Sequence, residues 1–259
     1  MIVSDVLTAL DPVRLMRQAV AEPDAWQRDL LRSAARQVIL LCSRQSGKST
    51  VTSILAVHQA LFSPGSLTLI VSPSLRQSGE LYAKVRAVLR DTPTTQETAT
   101  TLRLANGSRV VSLPGSEKTI RGYSAPDLVI EDEASRVDDE THQSLRPMLA
   151  VSGGKLVLLS TPFGRRGHFF EVWEEGGPAW KRVTITAHDV PRIDPVWLEQ
   201  ERLAIGDFWF AQEYLCEFRE AVDSVFRFED IRAALDPRVT PLFPTSPIGG
   251  AHADLSAVR

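Results

Sequence analysis

The sequence predicts an α/β fold, a doubly wound and mostly parallel sheet carrying a small helical subdomain. Three observations predict it. Short continuous apolar runs recur along the first 190 residues, as expected of strands buried on both faces. Longer segments with helical spacing lie between them, and strands alternating with helices build parallel sheets. After Pro191 the strands cease and two helical segments follow each other directly.

Taken in order, residues 4–19 carry Val6, Leu7, Leu10, Val13, Leu15 and Met16, which predicts one amphipathic helix opened by Ser4-Asp5. A short helix follows, with Asp24 placed to cap it. Val38 to Leu41 is the first buried strand. A loop and a helix with Val51, Ile54, Leu55, Val57, Leu61 and Phe62 follow, and Pro64-Gly65 stops the helix. Leu67 to Val71 is a strand and Leu75 to Leu89 a helix. Leu102 to Leu104 and Arg109 to Leu113 flank Asn106-Gly107, a hairpin signal. Asp127 to Ile130 is a strand, Asp138 to Leu149 a helix, Lys155 to Leu159 a strand, His168 to Glu175 a helix and Val183 to Thr186 a strand. Pro195 to Ile205 and Asp207 to Phe218 are the two terminal helices. The expected division is a core over 1–190, a helical subdomain over 191–235, and a linker over 236–259 that leads into the start of another strand.

Composition narrows the function. The chain has 259 residues, 43% hydrophobic and 24% charged, the balance of a globular protein. No apolar run approaches the ~20 residues that span a bilayer, and the first ten residues lack a basic, then apolar, leader pattern. Two cysteines, Cys42 and Cys216, suit a reducing compartment better than a disulfide scaffold. A net charge of −3 excludes a general nucleic-acid coat, but leaves room for a local basic patch.

The densest chemistry lies in Cys42-Ser43-Arg44-Gln45-Ser46-Gly47-Lys48-Ser49-Thr50, between a buried strand and a helix. Its right half ends like a phosphate-binding loop. There backbone N–H groups cradle phosphate, the Lys reaches the β/γ-phosphates and the Ser hydroxyl ligates Mg²⁺. Its left half departs from the motif, because Cys42 stands where the first glycine is expected. Leu128-Val129-Ile130-Glu131-Asp132-Glu133 is an apolar strand ending in acids. ATP hydrolysis needs one acid for the metal and another for the attacking water. Asp132 is assigned to the metal and Glu133 to water, with Glu131 as the alternative metal partner. An acidic strand end alone is commonplace, but its joint occurrence with the loop on one sheet is not.

Other residues gain meaning from that pair. Ser160-Thr161, at the end of a third apolar strand, could sense the γ-phosphate. Gln27, beside Trp26, offers an amide suited to an adenine edge. Arg44 could neutralise phosphate in cis, and Arg121, next to Gly122, could act as an arginine finger. Arg165-Arg166, Lys181-Arg182 and Arg192 are candidate DNA-phosphate contacts. None of the five histidines has a partner identifiable from sequence, so each is expected in core or solvent.

Together these residues resemble the large terminase subunit of tailed bacteriophages. The resemblance runs through Trp26-Gln27, the Arg-containing phosphate loop and Asn106-Gly107-Ser108. It continues through Thr119-Ile120-Arg121-Gly122-Tyr123, Asp132-Glu133-Ala134, Ser160-Thr161-Pro162-Phe163-Gly164 and Gln212 to Phe218. It implies a P-loop (RecA/ASCE-like) ATPase fold, with residues 191–235 as a lid. It further implies ATP and Mg²⁺ as cofactors, and a motor that drives double-stranded viral DNA into a capsid in the host cytoplasm. The implied partners are the portal protein, a small terminase subunit and further copies in a ring, commonly of five, where Arg121 would act on a neighbour's ATP. Asp254 resembles the first acid of an RNase H-like nuclease domain, whose remaining acids are absent, so nuclease activity is not expected. Two alternatives remain open at this level. One is a superfamily 2 helicase, which would need a second sheet domain. The other is a degenerate nucleotide-binding or portal-docking protein, with Cys42 as a mark of decay.

Overall fold

The computed structural model describes residues 2–115, 120, 122–220 and 234. Contacts divide the chain into one unit over Met1–Arg219 and another over Glu220–Arg259. The sheet and its helices lie in the first. Arg121 and Asp254 lie outside the described residues.

Eight strands form one sheet in the order β3-β4-β5-β2-β6-β7-β1-β8. They are β1 Gln37–Cys42, β2 Leu67–Ser72, β3 Thr94–Glu97, β4 Thr101–Leu104, β5 Arg109–Pro114, β6 Leu128–Asp132, β7 Lys155–Ser160 and β8 Trp180–Ile185. The six strands from β5 to β8 pair in parallel, while β3 and β4 add an antiparallel edge. The expected doubly wound sheet is therefore present, with helices on both faces. Strand β3 was not expected. Its residues Thr94 to Glu97 are all exposed, so it carries neither the apolar run nor the alternation that marks a strand in sequence.

The helices are α1 Ile2–Leu10, α2 Pro12–Ala19, α3 Ala25–Leu31, α4 Lys48–Phe62, α5 Leu75–Leu89, α6 Asp139–Ser152, α7 Gly167–Glu175 and α8 Pro195–Glu213. The single helix expected over 4–19 is two. Asp11 caps α2 by accepting the Val13 N–H, and Pro12 takes the first helical position, where its missing N–H costs nothing. The two helices expected after Pro195 are one continuous element broken at Gly206, whose φ of 80° lies outside the helical region. The second part ends at Glu213 rather than Phe218. No helix of the described residues is long and apolar enough to cross a membrane.

Strand alternation sorts the core into two layers. Leu40 and Cys42 of β1, Ile130 of β6 and Leu159 of β7 pack with Val51, Ile54 and Val57 of α4. Ile39, Leu41, Val129 and Leu158 face the other side, against Leu145 of α6 and Phe169 of α7. Each sheet face thus excludes water with a different set of helices, and the direction of a side chain near a strand tip selects its chemistry.

Candidate active site

The loop after β1 carries the strain expected of a phosphate cradle. Gln45 and Gly47 both have positive φ, 58° and 89°, and α4 begins at Lys48 directly after Gly47. Cys42 is not part of the turn. It is the last residue of β1, fully buried and in register with Ile185 of β8. A regular strand position needs no glycine, so its absence there leaves the loop geometry intact.

Lys48 Nζ lies 3.1 Å from Glu133 Oε1, joining the loop to the tip of β6. Glu133 stands in the left-handed region, φ 53° and ψ 42°, and begins a short 3₁₀ turn over Ala134–Arg136. A non-glycine residue held there costs about 1–3 kcal/mol, a strain typical of functional positions. Beside it, Asp132 is buried and its Oδ1 accepts the Glu133 backbone N–H at 3.2 Å. Burial, and then the charge of Glu133, push its carboxyl up to about 6, against the pull of Lys48. Burial works to lower the Lys48 ammonium, but the carboxylates of Glu133 and Asp132 outweigh it and hold the group above its ordinary value.

Strand β7 lies between β1 and β6, which brings its end between the loop and the acids. Ser160 Oγ shares a 2.7 Å hydrogen bond with Ser135 Oγ and reaches Glu133 Oε2 at 3.5 Å. Thr161 Oγ1 accepts from Arg136 Nη1 at 3.4 Å, and the same nitrogen is 3.4 Å from Glu133 Oε2. Arg136 also stacks over Phe163, 4.5 Å from the ring centroid. The resulting cleft, about 390 Å³, is lined by Arg44, Gln45, Lys48, Gln77, Glu133, Arg136 and Thr161. A larger cleft of about 570 Å³ opens at the amino ends of β6 and β7, beside Leu128 and Lys155. Ligands of parallel sheets bind at the carboxyl ends, where the smaller cleft sits.

Sequence reasoning missed Arg136 and Glu213. Arg136 is three residues past Glu133, on the same turn, a spacing that could have marked it. Glu213 is distant in sequence, and only the fold brings it in. Its Oε2 pairs with Arg44 Nε at 2.6 Å, and its backbone carbonyl accepts the Arg44 N–H at 3.0 Å. Arg44 therefore lines the cleft while tied to the end of α8. Gln27 is buried, and its Oε1 accepts the Asp24 N–H at 2.9 Å. Its Nε2 faces the loop, 2.9 Å from where a Cβ on Gly47 would stand. Ser46 is buried, while Ser49 and Thr50 lie half-buried on the first turn of α4.

The structure corrects one expectation and places several other residues. Glu131 does not share the face of Asp132. It points to the α6/α7 side, where His142 Nδ1 lies 2.9 Å from its Oε2 and His168 Nε2 2.6 Å from its Oε1. Burial alone would raise its carboxyl, but these two contacts hold it down at about 2. His142 and His168 thus lie in the core, one of the two places expected, with Glu131 as a partner that sequence could not identify. Arg182 and Arg192, two of the candidate DNA contacts, also make contacts within the protein. Arg182 donates to the carbonyls of Val172, Trp173 and Gly177 at the end of α7. Arg192 pairs with Asp24 at 2.8 Å and donates to the Ser46 carbonyl at 3.4 Å.

The family model of the terminase large subunit, T4likevirus-type, N-terminal region, matches residues 39–233. The chain belongs to the terminase large subunit family. The terminase large subunit of Thermus phage G20c is 29% identical over 244 residues, covering 79% of this chain and 50% of that protein. The chain thus spans about half the length of the curated relatives it matches. Its fold is similar to the large terminase ATPase domain of Thermus phage P74-26, with a TM-score of 0.68 at 24% identity, covering 79% of this chain and 97% of that one. A large terminase from a thermophilic bacteriophage, solved in complex with ADP, aligns with a TM-score of 0.63 at 13% identity over 76% of this chain and 54% of that one. What this terminase chain shares with both is the fold, and the Lys48–Glu133 cleft lies at the carboxyl end of its sheet.

Proposed function

We propose that this chain is the Mg²⁺-dependent ATPase part of a DNA-packaging motor. The observation that carries the reading is the 3.1 Å contact of Lys48 with Glu133, above a buried Asp132 at the adjoining strand position. The ADP complex of a terminase with a similar fold supports a nucleotide as the ligand.

Lys48 and the loop N–H groups hold the β/γ-phosphates of ATP. Glu133 accepts a proton from the attacking water at its carboxylate, as the new bond to the γ-phosphorus forms and the bond to the ADP oxygen breaks. Arriving phosphate competes for Lys48, which frees Glu133 Oε1 for that water. Arg136 and Ser160 hold the opposite carboxylate oxygen in place. The donor set suits Mg²⁺, since Ser49 and Asp132 supply hard oxygens. A cation is also favourable beside a carboxyl that burial and Glu133 hold up to about 6. Bound there by Ser49 and Asp132, Mg²⁺ would neutralise phosphate charge. Gln27 borders the base-binding end of the loop, and Ser160-Thr161 couple the γ-phosphate state to movement. Arg44 connects the cleft to α8 through Glu213, consistent with a lid that responds to nucleotide.

In this reading the energy moves double-stranded DNA toward a portal, with a small terminase subunit and a ring of copies in which Arg121 reaches a neighbour's ATP. Replacing Glu133 with Gln removes the base while keeping the shape. Turnover should fall by at least ~100-fold, with ATP still bound in a filter or calorimetric assay at high protein concentration with DNA present. Hydrolysis at the wild-type rate would remove Glu133 from the mechanism.

A further inference from the structure

On the sheet face away from the phosphate loop, two histidines from different helices converge on one carboxylate. Glu131 of β6 is fully buried, as nearly are His142 of α6 and His168 of α7. Their imidazoles stack at 4.2 Å and 11°, each against a different Glu131 oxygen. His168 Nδ1 lies 3.1 Å from Asp139 Oδ1, which also accepts the His168 backbone N–H at 2.7 Å. An ionised carboxylate only accepts, so the Nδ1 hydrogen goes to Asp139, and Nε2 meets Glu131 either as the second N–H of an imidazolium or as a lone pair turned to a shared cation.

His168 Nε2 and Glu131 Oε1 stand 2.6 Å apart in the interior. The contact lies off the hydrogen-bonding axis, so neither His168 Nε2 nor Glu131 Oε1 has a hydrogen-bond partner, and neither has His142 Nε2. Buried polar atoms are almost always satisfied, and three orphans in one cluster need a cation. A proton off axis serves poorly. A metal ion serves well, because ligand atoms from all three residues lie within 4.8 Å of one another.

We propose that Glu131, His142 and His168 bind one divalent transition metal of the zinc class, with Asp139 as a positioning residue behind His168. Two imidazoles and one carboxylate are a zinc-type donor set, and imidazole disfavours Mg²⁺ and Ca²⁺. The carboxylate–histidine pair supplies the outer support such ligands need. The ion would clamp α6 and α7 to β6 immediately before Asp132 and Glu133. It is a structural site on the opposite face from the ATP cleft, and it does not depend on the ATPase reading.

The test uses the 259-residue chain dialysed against chelator and titrated with Zn²⁺ and, separately, Co²⁺. One equivalent should bind with a dissociation constant below about 1 µM, Co²⁺ should give visible absorption bands, and excess Mg²⁺ should not compete. His168→Gln and His142→Gln should each weaken binding at least ~100-fold, and Asp139→Asn about 10–100-fold. A readout that needs no variant is the ring ¹⁵N resonances of the histidines, two of which should shift on adding Zn²⁺. Absence of a bound equivalent in the wild-type chain overturns the proposal. So does a folded His168→Gln protein that binds as tightly as wild type, or a Zn²⁺ titration that moves no histidine ring signal.

Discussion

Asp132 sits where its charge harms the nucleotide-free protein. Burial and the neighbouring Glu133 raise its carboxyl from 3.8 to about 6. Each pKa unit is worth about 1.4 kcal/mol, so ionised Asp132 destabilises the nucleotide-free fold by up to about 3 kcal/mol well above pH 6. The sign follows from the raised value. The folded state holds the proton more tightly than the unfolded chain, so this stability is fully present below pH 3.8 and is lost as pH rises through about 6. Asp132→Asn removes the charge. Its own amide hydrogens need acceptors, which offsets part of the gain, so we expect a net stabilisation of about 1–2 kcal/mol near pH 8. For a unit of this size that raises Tm by roughly 2–8 °C. Thermal melts of metal-free, nucleotide-free protein measure it. The charge contribution should shrink by about half near pH 5, and with the constant amide cost the net advantage should fall close to zero there. Adding Mg²⁺ and ATP should stabilise wild type more than the variant. A variant that melts at or below wild type at high pH, or a difference that ignores pH, refutes the reasoning.

Other outcomes follow from the same geometry. Gly47→Ala forces a side chain into a φ of 89° and places a Cβ 2.9 Å from Gln27 Nε2. The backbone strain is about 1–2 kcal/mol, and ATP affinity by calorimetry should fall at least tenfold; unchanged affinity would show that the loop does not keep this shape when it binds. Cys42 and Cys216 are buried. Burial pushes the Cys42 thiol up to about 12 and Cys216 higher still. Neither should react with a thiol reagent in the native protein at neutral pH, and both should react in denaturant, as read by mass spectrometry.

Much of this site was legible in the sequence, because its parts are local. A strand, a tight turn and a helix start follow from apolar runs and small residues, so neighbouring residues alone are enough to place Lys48 and Ser49. The acids at 131–133 were legible as a group, but the order of three acids does not say which face each one takes. Strand alternation divides them, since Ile130 and Asp132 share the α4 side while Val129 and Glu131 share the other. The Asp11-Pro12 break was also a local signal, overridden by a helical period that continues across it. The exposed edge strand β3 has no signal of its own, because its pairing with β4 defines it.

What the chain order alone determined is the alternation of strands and helices, the tight loop ending in Gly47-Lys48, and the acid pair, each written in neighbouring residues. What only tertiary structure decided are contacts between distant segments. Glu213 meets Arg44, and His142 and His168 meet Glu131, because packing two helices against one sheet face brings their side chains to a common depth. That depth depends on every strand between them, and no short window of sequence contains it.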